Sequence, residues 1–65
     1  MLGDRIATLR REANFSQREL ASRLHVSPSA VGMYEQGRRE PSIYILAAIA
    51  KELHVTLDHL VLGSS

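Results

Sequence analysis

Apolar residues recur at three- and four-residue intervals almost from the start of the chain. Leu2, Ile6, Leu9 and Ala13 form one stripe at spacings of four, three and four, which predicts an amphipathic helix over 2–13. F-S-Q-R-E-L, residues 15–20, then carries three helix-start signals at once: Ser16 as N-cap, Glu19 as its capping-box partner, and Phe15 placed to staple against Leu20. A second helix therefore starts near Gln17, buries Leu20, Ala21 and Leu24, and stops near His25. The third opens with Ser27 and Pro28, a cap followed by proline at the first helical position, and Gly37 stops it one residue past Gln36. Within helix 28–36 only Val31 and Tyr34 read as core contacts, so Ser29, Gly32, Met33 and Gln36 are free to face outward. Pro41 keeps Glu40 from continuing a helix, and the fourth begins near Ser42. It turns Ile45 or Leu46, Ile49, Ala50 and Leu53 inward and is the most apolar of the set, which predicts a central position. Thr56 caps a last short helix bearing Leu57, Leu60 and Val61, and 64–65 reads as a frayed tail.

No β-type alternation rises above this pattern. Five short helices joined by short connections predict an all-α, compact five-helix bundle, one domain over 1–63, in which no helix is stable alone. Two junctions share a form: R-L-H-V-S at 23–27 and E-L-H-V-T at 52–56 each end a helix on histidine and start the next with a hydroxyl cap. Helix ends favour Gly or Asn in the left-handed conformation, and His is among the side chains that tolerate it. His25 and His54 are structural on this reading. With His59 they lack the i, i+4 spacing of a metal site, so no metal or cofactor is expected.

At 65 residues the chain removes only about 60% of its unfolded surface from water, and it has no Cys to staple the fold. No apolar run approaches the roughly 20 residues of a membrane span, and Asp4 and Arg5 break any signal-peptide pattern at the start. A soluble cytoplasmic protein with no membrane partner is the expectation. The formal net charge of +1 hides an asymmetry. Residues 1–39 carry seven arginines against four acids, whereas residues 40–65 carry Lys51 against three acids, which gives +3 and −2. Arginine's planar fork suits phosphate and base contacts, and the basic part contains the sparsely apolar helix 28–36. No nucleophile sits with a base, no glycine loop cradles a phosphate, and five small helices leave little room for a pocket. These absences argue against an enzyme and a small-molecule ligand.

The L-H-V-S link leaves three or four residues between helices 2 and 3, the separation of a helix-turn-helix, with small Ala21 where the pair approaches and Val26 in the turn. The stretch F-S-Q-R-E-L-A-S-R-L-H-V-S-P-S-A-V-G-M-Y-E-Q-G-R-R-E-P-S, continuing through L-A-A-I-A-K-E-L-H-V-T-L-D-H-L, resembles the phage repressor and Cro-like (XRE) helix-turn-helix family over nearly the whole chain. That resemblance implies the lambda repressor-like DNA-binding fold and a transcriptional regulator, usually a repressor. It places helix 28–36 in the major groove of double-stranded DNA. Pro28, Ser29, Gly32 and Met33 then occupy base-contacting positions, fewer hydrogen-bonding side chains than many members present there. Ser29 donates or accepts, Met33 suits a thymine methyl, and Gly32 permits close approach. Gln17, Arg10, Ser27, Gln36, Arg38 and Arg39 occupy phosphate-contacting positions, and Arg10 matches the partner of Glu35 in a partly buried ion pair.

The family commonly binds as a two-fold dimer on inverted repeats about one helical turn apart, roughly 34 Å. Leu57, Leu60, Val61 and Leu62 are more apolar than a solvated tail requires. Leu57 and Leu60 are expected inward, with His59, Val61 and Leu62 toward a homodimer partner. The competing reading on the same fold is a protein-interaction module of the antitoxin or anti-repressor type, which the thin set of base-reading side chains favours and the arginine-rich half opposes.

Overall fold

The computed structural model describes residues 1–63; the tail expected at 64–65 lies outside the described residues. Five α-helices follow one another: α1 (Leu2–Glu12), α2 (Gln17–Leu24), α3 (Pro28–Gln36), α4 (Ile43–Glu52) and α5 (Leu57–Leu62). Four of them start on a hydroxyl whose oxygen accepts a backbone N–H from the first turn: Ser16 from Glu19, Ser27 from Ala30, Ser42 from Ile45 and Thr56 from His59. At Ser16 the full capping box forms, because the Glu19 carboxylate also accepts the Ser16 N–H at 2.9 Å. That contact holds the Glu19 carboxyl below its ordinary pKa.

The helix ends explain the repeated junctions. His25 and His54 stand at φ 58° and 57°, in the left-handed region, and Asn14 joins them at φ 63°. In each case the left-handed residue and the one after it return their N–H groups to the preceding turn, as in Phe15 to Arg10, Val26 to Ala21 and Val55 to Ala50 at 3.0–3.1 Å. The residue after the turn packs on the core, and the next is a hydroxyl cap. N-F-S, H-V-S and H-V-T are thus one three-residue connector used three times. The sequence pattern revealed the two histidine copies and missed Asn14.

The core is formed by Ile6, Leu20, Ala21, Leu24, Ala30, Val31, Tyr34, Ile49, Ala50, Leu53 and Leu60. Leu57 packs against it, half-buried. The expectation that α4 is central is corrected. The densest packing is of α3 on α2 and α1, while α4 lies on α2 and α5. Its apolar content exceeds what it buries: Ile45 and Leu46 are both half-buried, and Ile43 and Tyr44 stand in solvent, Tyr44 at 83% exposure. A helix that is apolar all round is not thereby central, because burial depends on which neighbours reach each face.

Two contacts fix α1. A Cβ on Gly3 would collide with the carbonyl oxygens of Tyr34 and Glu35, so α1 crosses the end of α3 at backbone contact. Arg5 Nη1 donates to the carbonyls of Leu60 and Val61 at 3.4 and 3.3 Å, satisfying groups that the end of α5 leaves without a helical partner. No helix is long and apolar enough to cross a membrane among the described residues.

Because His25 and His54 are exposed and left-handed, a side chain there gains little packing and bears the steric penalty of positive φ. His54→Gly is expected to raise unfolding stability by up to about 1 kcal/mol, net of glycine's larger unfolded-state entropy, seen as a higher urea midpoint at unchanged slope. An unchanged or lower midpoint would mean that the imidazole contributes more than the strain costs.

Candidate nucleic-acid interface

At 100° per residue, Ala30, Val31 and Tyr34 of α3 lie on one side of the helix and Ser29, Gly32, Met33 and Gln36 lie on the other. The first three are buried; Ser29 and Gln36 are exposed, and Gly32 and Met33 are half-exposed. Pro28 and Ser27 are exposed where the helix begins. The hydroxyls of Ser27 and Ser29 lie 3.1 Å apart, so Ser29 is oriented by the cap while keeping capacity for a further hydrogen bond. Gly37, left-handed at φ 74°, ends the helix, and the Arg38 N–H returns to the Met33 carbonyl at 2.9 Å. That reversal delivers Arg38 and Arg39 to solvent at the end of the outward stripe, and neither has a carboxylate within ion-pair distance among the described residues.

Glycine at 32 is not demanded by packing. A Cβ built there meets nothing nearer than the Gln17 side-chain amide, at 3.9 Å. Gly32 also has ordinary helical φ, so its cost of roughly 1 kcal/mol against alanine has no compensation inside the fold. The stripe therefore has a shallow depression at its middle that the domain itself does not use.

Behind the stripe, α3 is braced by its own Glu35. Arg10 Nε donates to Glu35 Oε2 at 2.6 Å and Nη2 to Oε1 at 3.2 Å, while Gln17 Nε2 donates to Oε1 at 2.9 Å. Arg10 Nη1 reaches the Phe15 carbonyl at 2.8 Å. The pair is nearly dry, with side-chain exposures of 9% for Arg10 and 7% for Glu35. The structure thus brings Arg10, Gln17 and Glu35 together, but it gives Arg10 an internal task. Three of its five N–H donors are engaged inside the fold and it is buried, so its task within the domain is to brace α3. Gln17 is exposed and keeps its carbonyl oxygen and its place at the N-terminus of α2.

Away from α3, His59 is half-buried and Val61 and Leu62 are exposed, Leu62 at 71%. They share one end of the molecule, on a helix tied to α1 by Arg5. In the sequence Arg5 reads only as charge. Its anchoring role has no local signature, because its acceptors lie 55 and 56 residues away.

A helix-turn-helix family model matches residues 6–60. Over 60 residues the chain is 35% identical to the HTH-type transcriptional activator BcrR of Enterococcus faecalis, covering 92% of this chain and 29% of that protein. It is 32% identical over 65 residues to the uncharacterized HTH-type transcriptional regulator YqaE of Bacillus subtilis, covering 100% of this chain and 56% of the relative. The chain therefore spans less than two thirds of the length of either. Among solved structures, the P22 c2 repressor in complex with synthetic operator 9T superposes with a TM-score of 0.91 at 30% identity, covering 98% of this chain and 97% of that one.

Removing one member of the dry pair strands the other charge. Arg10→Met is expected to cost about 3 kcal/mol or more in urea unfolding, and adding Glu35→Leu is expected to restore most of that loss. A double variant no more stable than the single would assign the loss to the Phe15 contact and packing instead.

Proposed function

Because the chain belongs to the Cro/C1-type helix-turn-helix family, we propose that it is a sequence-specific double-stranded DNA-binding transcriptional regulator, a repressor, that inserts α3 into the major groove. The supporting observation is the outward stripe of α3. Ser29, Gly32, Met33 and Gln36 have no part in the core, and the stripe runs between a helix start and two unpaired arginines. The P22 c2 repressor, which shares the architecture, is seen bound to operator DNA.

In this reading the domain separates two tasks. Arg38 and Arg39, with Gln17, Gln36 and Ser27, grip phosphates and set register without reading sequence. Ser29 and Met33 contact base edges, Pro28 packs against the groove, and Gly32 lets a backbone or base edge approach where a methyl would stand. With so few hydrogen-bonding groups on the stripe, part of the selectivity comes from duplex shape. A homodimer through His59, Val61 and Leu62 places two such helices on an inverted repeat about 34 Å apart, doubling the phosphate contacts. The cytoplasm is the compartment in which this activity belongs.

Selection of sites from randomised duplex is expected to return an inverted repeat. Arg38→Ala then weakens binding to all sequences alike and lowers the salt slope of log affinity by about one per protomer, whereas Ser29→Ala relaxes one base position by about 1 kcal/mol. Absence of any enriched sequence, with negligible binding even at low salt, would transfer the stripe to a protein partner.

Gly32→Ala separates fold from function. It is expected to raise unfolding stability by about 0.5–1 kcal/mol and to weaken duplex binding. Unimpaired binding by a stabilised variant would remove Gly32 from the interface.

A further inference from the structure

A second cation-bearing surface adjoins the interface. Between α1, the start of α2 and the end of α3 lies a polar cleft of about 330 Å³, to which α1 contributes Asp4, Ala7, Thr8 and Arg11, α2 contributes Gln17, and α3 contributes Glu35 and Gln36. We infer that this cleft seats a DNA phosphodiester, with the Arg11 guanidinium as its principal donor and the Thr8 hydroxyl as a second. The inference depends on the DNA-binding reading and adds to it a contact on α1.

The internal alternatives for Arg11 are occupied. Arg11 is exposed, and among the described residues its guanidinium has neither a carboxylate within ion-pair distance nor a hydrogen-bond acceptor. Cations near a helix C-terminus commonly serve the free carbonyls there. At the end of α1 three of those carbonyls already have partners: Leu9 accepts from Ala13, Arg10 from Phe15 and Arg11 from Asn14. Arg10 and Arg11 are adjacent but 100° apart on the helix, so one turns into the bracing pair and the other into the cleft.

The acidic groups of the cleft do not cancel this cation. Glu35 spends its oxygens on Arg10 and Gln17. Asp4 lies seven residues from Arg11 on α1, about 10 Å along the axis, and a fully exposed pair at that distance is largely screened in physiological salt. Beside the Asp4 carboxylate, the cleft presents one guanidinium, one hydroxyl and the amides of Gln17 and Gln36. Such a set of donors suits a single phosphate, with guanidinium the group able to engage two of its oxygens at once.

The test compares the full chain with Arg11→Ala and Arg11→Lys on the selected duplex and on a scrambled one, by fluorescence anisotropy across 50–200 mM salt. Arg11→Ala is expected to weaken both duplexes by the same factor, several-fold at the lower salt, and to reduce the slope by about 0.9 per protomer; Arg11→Lys restores the slope. Methylphosphonate placed singly along the backbone should reveal one position whose neutralisation weakens the parent and leaves Arg11→Ala unaffected. A parent that binds duplex while Arg11→Ala keeps its slope and its full methylphosphonate profile overturns the cleft assignment alone. A parent that binds no duplex overturns the functional reading, and this contact with it. Arg11 is exposed and unpaired, so equal urea midpoints are expected for all three proteins.

Discussion

One carboxylate holds the recognition architecture together. Glu35 belongs to α3, yet its oxygens are claimed by Arg10 from α1 and Gln17 from α2, and Arg10 extends the set to the Phe15 carbonyl in the connector between those helices. Four segments of a 65-residue chain thus meet at a nearly dry charge pair. Ion pairs of this kind contribute little net stability against an apolar replacement of equal shape. Their value here is angular. Two nitrogens of one planar guanidinium on one carboxylate fix an orientation that interchangeable apolar contacts would leave loose.

The remaining packing follows from that constraint. α3 is held on its inner side by Ala30, Val31 and Tyr34, at its Glu35 by side chains, and at its last turn by backbone contact with Gly3. The outward side is left without internal duty. Gly37 then turns the chain so that Arg38 and Arg39 leave the helix where its outward stripe ends. Position and presentation are set by different residues, which is why substitutions in the stripe and in the brace should have separable effects.

How much of this was legible in the sequence depended on range. Hydroxyl caps, the capping box, proline at the start of α3 and glycine at its end act over three or four residues, and all fall where the local pattern put them. The histidine turns are legible because two copies repeat, whereas Asn14, in the same left-handed conformation, stands in N-F-S and shares neither the histidine nor the valine of those copies. Long-range facts were harder. Apolar content placed α4 at the centre, but content does not say which faces neighbours cover, and Tyr44 stands in solvent. Arg5 on the end of α5 and Gly3 on the end of α3 join residues that no periodicity connects. At the site, the pairing of Arg10 with Glu35 came from family resemblance; that Arg10 is thereby withdrawn from solvent required the geometry.

The outward stripe of α3 has one more implication, for how such a domain diversifies. Ser29, Gly32, Met33 and Gln36 can change without opening a cavity or stranding a charge, since none is in the core or the brace. A lineage carrying this scaffold can therefore alter what it recognises by single steps, each passing through a folded intermediate.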